Sequence, residues 1–276
     1  MLFPYLKMQG AGNQIVVVDQ RVHDLPPPPA EDIRRLGHGG TGPGFDQLMW
    51  VGPAFSEAAA ASYRVFNRDG SEVQQCGNGV RCVAWMLARD APAQDVFLLD
   101  SPAGPIEAVV LDDGRISVSM GAPEFDPARV PFIADESQAR YELETCGRTH
   151  PVAVLSMGNP HCVLLVDSVA SADVDRLGPA IEEHPRFPEA TNVGFMSITD
   201  RSNVELRVYE RGVGETLACG TGACAAVVAG QRLELLDAEV AVRLPGGQLV
   251  VSWRGAAEPV WLTGNAELIS EGTIDL

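Results

Sequence analysis

The chain has 276 residues, which is enough for two domains of ordinary size. Its 46% hydrophobic and 21% charged residues are those of a globular protein, and no apolar run approaches the roughly 20 residues of a membrane span. The formal net charge of −17 argues against nucleic acid as a partner, because phosphates require a basic surface. The amino terminus lacks a basic segment followed by an apolar stretch, so we expect no secretory signal and a cytoplasmic location.

In the first half of the chain, apolar runs and turn residues predict strands on both sides of two helices. The opening turns on Gly10 and Gly12 and presents Asn13. The predicted elements that follow are a strand over 15–19, a helix over 30–36, strands over 48–51 and 62–66, a helix over 80–89, a strand over 96–99 and a hairpin over 106–120.

The second half repeats this order of elements. Its predicted elements are strands over 152–156 and 162–167, a helix over 173–183, strands over 193–198 and 204–209, a helix over 223–233, a hairpin turning at 245–247 and an edge-like stretch over 261–276. Three prolines within 121–131 mark the domain boundary. We therefore predict an amino-terminal domain over 1–120, to which a strand over 265–276 returns, and a carboxy-terminal domain over 121–264.

One short motif occurs twice. Residues 67–79 read NRDGSEVQQCGNG, and residues 210–222 read ERGVGETLACGTG. Aligned without a gap, they share an arginine, a glutamate, two glycines and one cysteine, Cys76 in the first copy and Cys219 in the second. A helix-like run follows each copy, so the sequence predicts two cysteines that each stand at the start of a helix.

Polar residues at the ends of predicted strands precede each cysteine in the same order. The residues that precede the first cysteine are Asn13, Gln47 and Asn67. Those that precede the second are Asn159, Asn192 and Glu210. Asn and Gln often mark turns only, but that reading accounts poorly for a matching order in both halves. The pattern predicts two copies of one α+β domain that face each other across a cleft.

The chemistry follows from a thiol at a helix amino terminus. The positive end of the helix dipole and the unpaired N–H groups of the first turn favour thiolate and would also bind a carboxylate. Inversion of a carbon next to a carboxylate needs a base on one face and an acid on the other. A thiolate and a thiol, Cys76 and Cys219, would supply both.

The remaining candidates have simpler readings. Cys82 and Cys224 fall inside predicted helices and are interpreted as core residues, and six cysteines without a Cys-x-x-Cys pair predict reduced thiols and no metal site. His161 is either a site residue or an ordinary loop histidine. Arg211 is either a surface partner of Glu210 or the cation for a second carboxylate on a longer substrate.

These motifs resemble those of the diaminopimelate epimerase family, and the resemblance covers nearly the whole chain. The matching segments are MQGAGN at 8–13, GFDQ at 44–47, NRDGSEVQQCGNGVRC at 67–82, GNPH at 158–161, TNVGF at 191–195 and ERGVGETLACGTGACA at 210–225. The last segment is long and separates this family from proline racemases of similar fold.

The resemblance implies interconversion of LL- and meso-2,6-diaminoheptanedioate, a precursor of lysine and peptidoglycan, by Cys76 and Cys219 without cofactor or metal. It implies two pseudo-symmetric α+β domains, each with a curved, mostly antiparallel sheet around a central helix, an active site in the cleft between them, and a homodimer. Groups at the two helix starts would hold the reacting carboxylate: Gly77, Asn78, Gly220 and Thr221. Side chains would bind the amino groups and the distal carboxylate: Asn13, Gln47, Asn67, Asn159, Asn192, Glu210 and Arg211. His161 and Glu210 would tune the thiols.

Some positions depart from the family pattern, and two other functions stay open. The opening motif continues with Gln14 and Ile15 in place of Asp and Phe, Asn265 replaces a usual proline, and Ser270 replaces a usual aromatic residue. One alternative is another cofactor-independent racemase or isomerase of the same fold, from which Arg211 would distinguish the epimerase. The other is a non-catalytic amino-acid-binding or redox-switch protein, which would not need two carboxylate cradles.

Overall fold

The computed structural model describes residues 2–40, 42–73, 76–255 and 257–275. In chain order its elements are β1 (Leu2–Gly10), β2 (Asn13–Asp19), α1 (Ala30–Gly37), β3 (Gln47–Gly52), β4 (Ala61–Asn67), β5 (Glu72–Val73), α2 (Gly77–Asp90), β6 (Val96–Ser101), β7 (Gly104–Val110), β8 (Ile116–Ser119), β9 (Tyr141–Thr145), β10 (Arg148–Ser156), β11 (Pro160–Leu165), a 3-10 turn (Val169–Ser171), α3 (Val174–Glu182), β12 (Asn192–Asp200), β13 (Asn203–Glu210), β14 (Gly214–Thr216), α4 (Gly220–Arg232), β15 (Glu239–Leu244), β16 (Gly247–Ser252), β17 (Trp261–Gly264) and β18 (Glu267–Asp275).

The chain divides into two compact units, Met1–Ser119 with Thr263–Leu276, and Met120–Leu262. Each unit combines a mixed sheet with helices, which confirms the predicted α+β fold. The first unit contains α2 and Cys76, and the second contains α4 and Cys219. The predicted domains over 1–120 with 265–276 and over 121–264 stay a prediction about folding units.

In the first unit the strands pair in the order β18, β1, β2, β3, β4, β6, β7 and β8. The β2–β3 and β4–β6 pairs are parallel and the others are antiparallel. Helix α2 contacts β1, β2, β3, β7 and β8. Its side chains from Val80 to Ala84 are all buried, including that of Arg81. Because small and apolar residues cover its surface, α2 is enclosed by the sheet rather than lying on one face of it.

The second unit repeats this arrangement. Its strands pair in the order β9, β10, β11, β12, β13, β15 and β16, with β11–β12 and β13–β15 parallel. Helix α4 contacts β10, β11, β12, β13, β15 and β16. Its nine residues from Gly222 to Gly230 are buried. The parallel pairs therefore occupy equivalent places in the two sheets.

An arginine–glutamate pair shows how closely the two copies correspond. Arg64 on β4 binds both carboxylate oxygens of Glu72 on β5, at 2.7 and 2.6 Å. Arg207 on β13 binds Glu215 on β14 in the same way, at 2.6 and 2.7 Å. Such exposed pairs add at most about 1 kcal/mol to stability. Their value lies in position, because each fixes the short strand that leads to a cysteine.

The structure differs from the predicted elements at both ends of the chain, at the starts of two helices and at β9. Both cysteine-led helices begin three residues earlier than predicted, at Gly77 and Gly220. Cys76 caps α2 by accepting the Gly79 N–H on its sulfur, whereas Cys219 is the N-cap residue of α4 without a side-chain cap hydrogen bond. Residues Leu2–Gly10 form a nine-residue strand for which no element was predicted, and the predicted edge-like stretch contains two strands, Trp261–Gly264 and Glu267–Asp275. Strand β9 was not predicted, because its YELET sequence is polar although Tyr141 and Leu143 are buried.

Candidate active site

Cys76 is the N-cap residue of α2. Its backbone is extended, and its Sγ accepts a hydrogen bond from the Gly79 N–H at 3.3 Å. Its carbonyl oxygen accepts the Val80 N–H at 2.9 Å, which closes the first helical turn. The sulfur therefore lies at the positive end of a buried helix, as the sequence predicted.

Three amide side chains converge beside this sulfur. The Gln47 Oε1 accepts hydrogen bonds from the Cys76 Sγ at 2.6 Å and from Asn13 Nδ2 at 3.2 Å, and Gln47 Nε2 donates to Asn67 Oδ1 at 3.1 Å. The pairing of β2, β3 and β4 explains this convergence, since Gln47 lies opposite both Ile15 and Asn67 in the ladders. The structure thus brings together three of the predicted binding residues at the first cysteine.

Sequence reasoning missed a buried arginine in the first turns of α2. Arg81 is 0% exposed, and its Nη2 donates to Asn78 Oδ1 at 2.7 Å while its Nε donates to the Asn265 carbonyl at 3.3 Å. The guanidinium therefore fixes the side chain of Asn78 and adds positive charge one turn from Cys76. A side chain at Gly10 would approach Arg81 Nη2 to 3.1 Å, so the strand must pass close to it. An arginine among apolar helix residues was the available signal.

Cys219 is the N-cap residue of α4 and is 5% exposed. Its Sγ lies 3.5 Å from Thr221 Oγ1, which also accepts a hydrogen bond from Asn159 Nδ2 at 3.4 Å. The second sulfur therefore meets a hydroxyl group, where the first meets an amide oxygen. Gly220 opens the helix beside it, as Gly77 does in the first unit.

His161 continues this network away from the sulfur. It is buried, and its Nε2 lies 3.0 Å from Asn159 Oδ1. Burial, with a smaller effect of the Arg211 charge, lowers the pKa of His161 to about 3. The imidazole is therefore neutral near pH 7, and the Asn159 oxygen makes its Nε2 the donor. His161 orients Asn159 so that the amide NH₂ group points to Thr221.

The Cys219 thiol is affected by a negative charge. Burial, followed by the carboxylate of Glu210, raises the pKa of the Cys219 thiol well above its usual range, and the Thr221 hydroxyl partly opposes this. Glu210 ends β13, and its Oε1 accepts the Thr216 hydroxyl at 2.5 Å. Thr216 was not among the predicted site residues, although it lies within the repeated motif.

Two other predicted residues are bound to the backbone. Asn192 is buried, and its amide donates to the Pro160 carbonyl at 2.9 Å and accepts the Arg211 N–H at 3.1 Å. The exposed Arg211 side chain donates to the Glu189 carbonyl at 2.9 Å. Asn192 therefore positions the turn that carries Glu210 and Arg211.

Within residues 2–40, 42–73, 76–255 and 257–275, no three His, Cys, Asp or Glu side chains are grouped so that they could hold a metal ion. In those same ranges no helix combines the length and apolar character needed to cross a membrane.

The fold is similar to that of solved structures of other proteins. A hydroxyproline epimerase from Agrobacterium vitis matches with a TM-score of 0.68 and 17% identity, over 99% of this chain and 92% of that one. At this identity the similarity establishes the fold only.

Sequence comparison identifies the family. The family model described as "Diaminopimelate epimerase" matches residues 5–125 and 153–269. The diaminopimelate epimerases of Thioalkalivibrio sulfidiphilus and Ectopseudomonas mendocina are 49% and 46% identical over 282 and 280 aligned residues, and each match covers 100% of both chains. The chain belongs to the diaminopimelate epimerase family, whose named activity is that of an isomerase. The resemblance inferred from the motifs is confirmed.

Proposed function

We propose that the chain interconverts LL- and meso-2,6-diaminoheptanedioate in the synthesis of lysine and peptidoglycan precursors. Cys76 and Cys219 act as the two acid–base groups, one on each face of the α-carbon. The observation that carries this proposal is that both thiols are N-cap residues of buried helices that open with glycine. Family membership supports the choice of substrate.

The reaction requires one thiolate and one thiol. The thiolate takes the α-proton, so that the C–H bond breaks and an S–H bond forms. The opposite thiol then gives its proton to the other face of the carbon and becomes the new thiolate. Atoms and charges balance over this step, and the roles of Cys76 and Cys219 exchange in the reverse direction. Two thiols that act on one carbon are expected to titrate as a coupled pair.

The carbanion stage places extra negative charge on the substrate carboxylate. We assign its stabilisation to the helix starts, through Gly77, Asn78, Gly220 and Thr221. One preorganised donor aimed at such a developing charge contributes roughly 3–4 kcal/mol. This contribution is needed because general acid–base catalysis alone supplies only about 10²–10⁴-fold per group.

The other predicted residues hold the rest of the substrate. Their amide and carboxylate oxygens suit ammonium groups, and their amide and guanidinium N–H groups suit the distal carboxylate: Asn13, Gln47, Asn67, Asn159, Asn192, Glu210 and Arg211. Arg211 is the fixed cation in this set, which favours a substrate with a second carboxylate. His161 acts through Asn159, and Glu210 through its charge near Cys219.

Exchange of the α-proton with solvent tests this function. Incubation with LL-diaminopimelate in deuterated water should place deuterium at the α-carbon, measured by proton NMR. Cys76→Ser and Cys219→Ser should each lower the exchange rate by at least about 100-fold, since each removes an acid–base group. Cys146→Ser, at an exposed cysteine, should retain the rate. Undiminished exchange in either of the first two variants would contradict the two-thiol mechanism.

We also propose that the chain acts in the cytoplasm as a homodimer, without cofactor or metal. The family resemblance supports the assembly, and acid–base groups from the chain suffice for the proton transfers. We propose further that 1–120 with 265–276 and 121–264 are the two domains. The pairing of β18 with β1 supports the return of the carboxy-terminal segment to the first domain.

A further inference from the structure

A chain of side-chain hydrogen bonds leads from the first cysteine to a surface carboxylate. The Cys76 Sγ contacts Gln47 Oε1 at 2.6 Å, and Gln47 Nε2 donates to Asn67 Oδ1 at 3.1 Å. Asn67 Nδ2 donates to Ser71 Oγ at 3.1 Å, and Ser71 Oγ donates to Asp69 Oδ1 at 2.6 Å. The last two members, Ser71 and Asp69, had no assigned role.

The direction of every hydrogen bond in this chain follows from the charge of Asp69. The Ser71 hydroxyl and N–H groups lower the pKa of the Asp69 carboxyl, so it is ionised near pH 7 and only accepts. Ser71 has one hydroxyl hydrogen, which it gives to Asp69, so its oxygen must accept from Asn67. The Asn67 NH₂ group therefore faces Ser71, and its Oδ1 faces Gln47.

The orientation of Asn67 fixes that of the Gln47 amide. Since Asn67 presents an oxygen, Gln47 must present its NH₂ group to Asn67 and its Oε1 to Cys76. The Asp69 carboxylate sets this order, because it can only accept hydrogen bonds. An acceptor thus faces the Cys76 sulfur, where the reversed amide would present a donor.

A rigid turn holds the outer end of the chain. The Asn67 N–H donates to the Ser71 carbonyl at 2.8 Å, and the Gly70 N–H donates to the Asn67 carbonyl at 2.9 Å. Gly70 has a φ of +86°, and a Cβ there would approach the Ala30 carbonyl oxygen to 2.6 Å. Asp69 and Ser71 are exposed, so long-range charge effects are screened by solvent. Their influence is transmitted by the order of hydrogen bonds.

The second unit shows why the first one needs this anchor. The counterpart of Asn67 is Glu210, and the Thr216 hydroxyl donates to it at 2.5 Å. Both oxygens of a carboxylate are acceptors, so its orientation needs no control. An amide has a donor end and an acceptor end, and something must decide which end faces the sulfur.

We propose that Asp69 and Ser71 are positioning residues that make the Gln47 amide present its oxygen to the Cys76 thiol. This inference rests on the proposed function, because it concerns the same sulfur. The Gln47 oxygen favours the S–H form of Cys76, because it accepts the thiol hydrogen. This effect ends when another donor, such as the substrate's ammonium group, binds to that oxygen. Neither residue touches the reacting carbon.

The substitution Ser71→Ala tests the proposal. It removes the acceptor for Asn67 and the link to Asp69, so Asn67 no longer holds Gln47 in this orientation. The Gln47 NH₂ group can then turn toward a thiolate, against the hydrogen bond that Asn13 Nδ2 donates to Gln47 Oε1 at 3.2 Å. Alkylation of Cys76 by iodoacetamide, quantified by peptide mass spectrometry between pH 5 and 9, should begin at lower pH than in the wild type. At pH 7 the rate should rise about two- to tenfold, which is the effect of one neutral hydrogen bond of typical strength.

Two variants separate this effect from a general loss of structure. Ser71→Thr keeps the hydroxyl group and should restore the wild-type profile. Ser56→Ala removes a similar serine–carboxylate hydrogen bond in the same unit, where Ser56 Oγ donates to Asp100 at 3.0 Å, and should leave Cys76 alkylation unchanged. If thermal unfolding shows that Ser71→Ala is not folded, Asp69→Ala is measured in its place.

The outcomes distinguish the inference from the function on which it rests. An unchanged alkylation profile in folded Ser71→Ala, or an equal change in Ser56→Ala, overturns the positioning role whatever the exchange rate is. Undiminished deuterium exchange in Cys76→Ser overturns the proposed function instead, because the alkylation measurement does not require turnover.

Discussion

The two cysteines have the same extended backbone conformation at a helix start, but their sulfur atoms have different neighbours. Cys76 accepts a helix N–H and lies against an amide oxygen, whereas Cys219 lies near a carboxylate and a hydroxyl group. The sheets, the capped helices and the arginine–glutamate pairs correspond closely between the units. The two units thus share the backbone that places a sulfur at a helix start, whereas the side chains around each sulfur differ.

The same contrast extends one layer outward. Ile15 in β2 and His161 in β11 hold equivalent positions, each opposite the first residue of the next strand, and both are buried. Within the helices, Arg81 occupies the position that Cys224 occupies in α4. The first unit therefore has a buried cation near its sulfur, and the second has a buried imidazole. We expect substitutions at equivalent positions to have unequal effects.

The largest difference is expected from alanine at the fourth residue of each motif's Cys-Gly-x-Gly segment. A Cβ at Gly79 would lie 2.3 Å from the buried Met49 sulfur, so the core must shift. A Cβ at Gly222 would lie 3.0 Å from Val208 Cγ2 and 3.3 Å from the Cys219 sulfur, which requires a smaller movement. Gly79→Ala should lower the free energy of unfolding by about 1–3 kcal/mol.

For Gly222→Ala the contacts are nearly offset by the greater helix propensity of alanine, about 1 kcal/mol. Its change in unfolding free energy should be near zero, measured by urea titration monitored by circular dichroism. Because the new methyl group lies against the Cys219 sulfur, to which we assign proton transfer, this variant should lose exchange activity while it keeps its stability. Equal destabilisation of the two variants would show that the helix starts are packed alike.

Patterns in the sequence were sufficient to predict the fold class, the two helices that follow a cysteine and the polar residues at the termini of neighbouring strands. The reason is that each depends on local features, such as glycines after a cysteine or an apolar run before an asparagine. Strand β9 was missed because its polar residues conceal the burial of Tyr141 and Leu143, which tertiary packing decides.

The network around each sulfur could be predicted only in part. Gln47, Asn67, Asn159 and Glu210 were placed near the cysteines, because strand ends in register meet at one edge of a sheet. The direction of their hydrogen bonds depends on partners such as Ser71 and Thr216, whose side chains resemble ordinary turn residues. Arg81 was missed since its burial depends on how the sheet encloses α2.

The buried imidazole predicts a pH effect that belongs to the second unit. Burial holds the pKa of His161 near 3, below the 6.5 of an ordinary histidine, so only the unfolded chain takes up this proton as the pH falls through 6.5. The contribution of neutral His161 to the free energy of unfolding is thus fully present above pH 6.5. It decreases by about 1.4 kcal/mol per pH unit below that value. Between pH 6.5 and 5 the loss should be about 2 kcal/mol.

Urea unfolding at pH 7 and pH 5 measures this contribution. The difference between the two pH values should shrink by about 2 kcal/mol in His161→Gln. His23→Gln, at an exposed turn, controls for the loss of an imidazole in general. A wild-type pH dependence in the His161 variant would mean that the imidazole is charged or hydrated in the folded protein.

The smallest effect is expected from removal of the charge beside Cys219. The Glu210 carboxylate raises the pKa of the Cys219 thiol, second to burial, so Glu210→Gln should let alkylation of Cys219 begin at lower pH. Glu215→Gln serves as the control. It also removes one carboxylate charge, from β14, where Arg207 binds the Glu215 carboxylate. Alkylation of Cys76 in the same samples is an internal reference. A shift at Cys219 alone would show that a carboxylate controls one sulfur, while at the other this task falls to an oriented amide. A shift at both sulfurs would mean that one charge governs the pair, and the divergence of the two helix starts would then have no bearing on their protons.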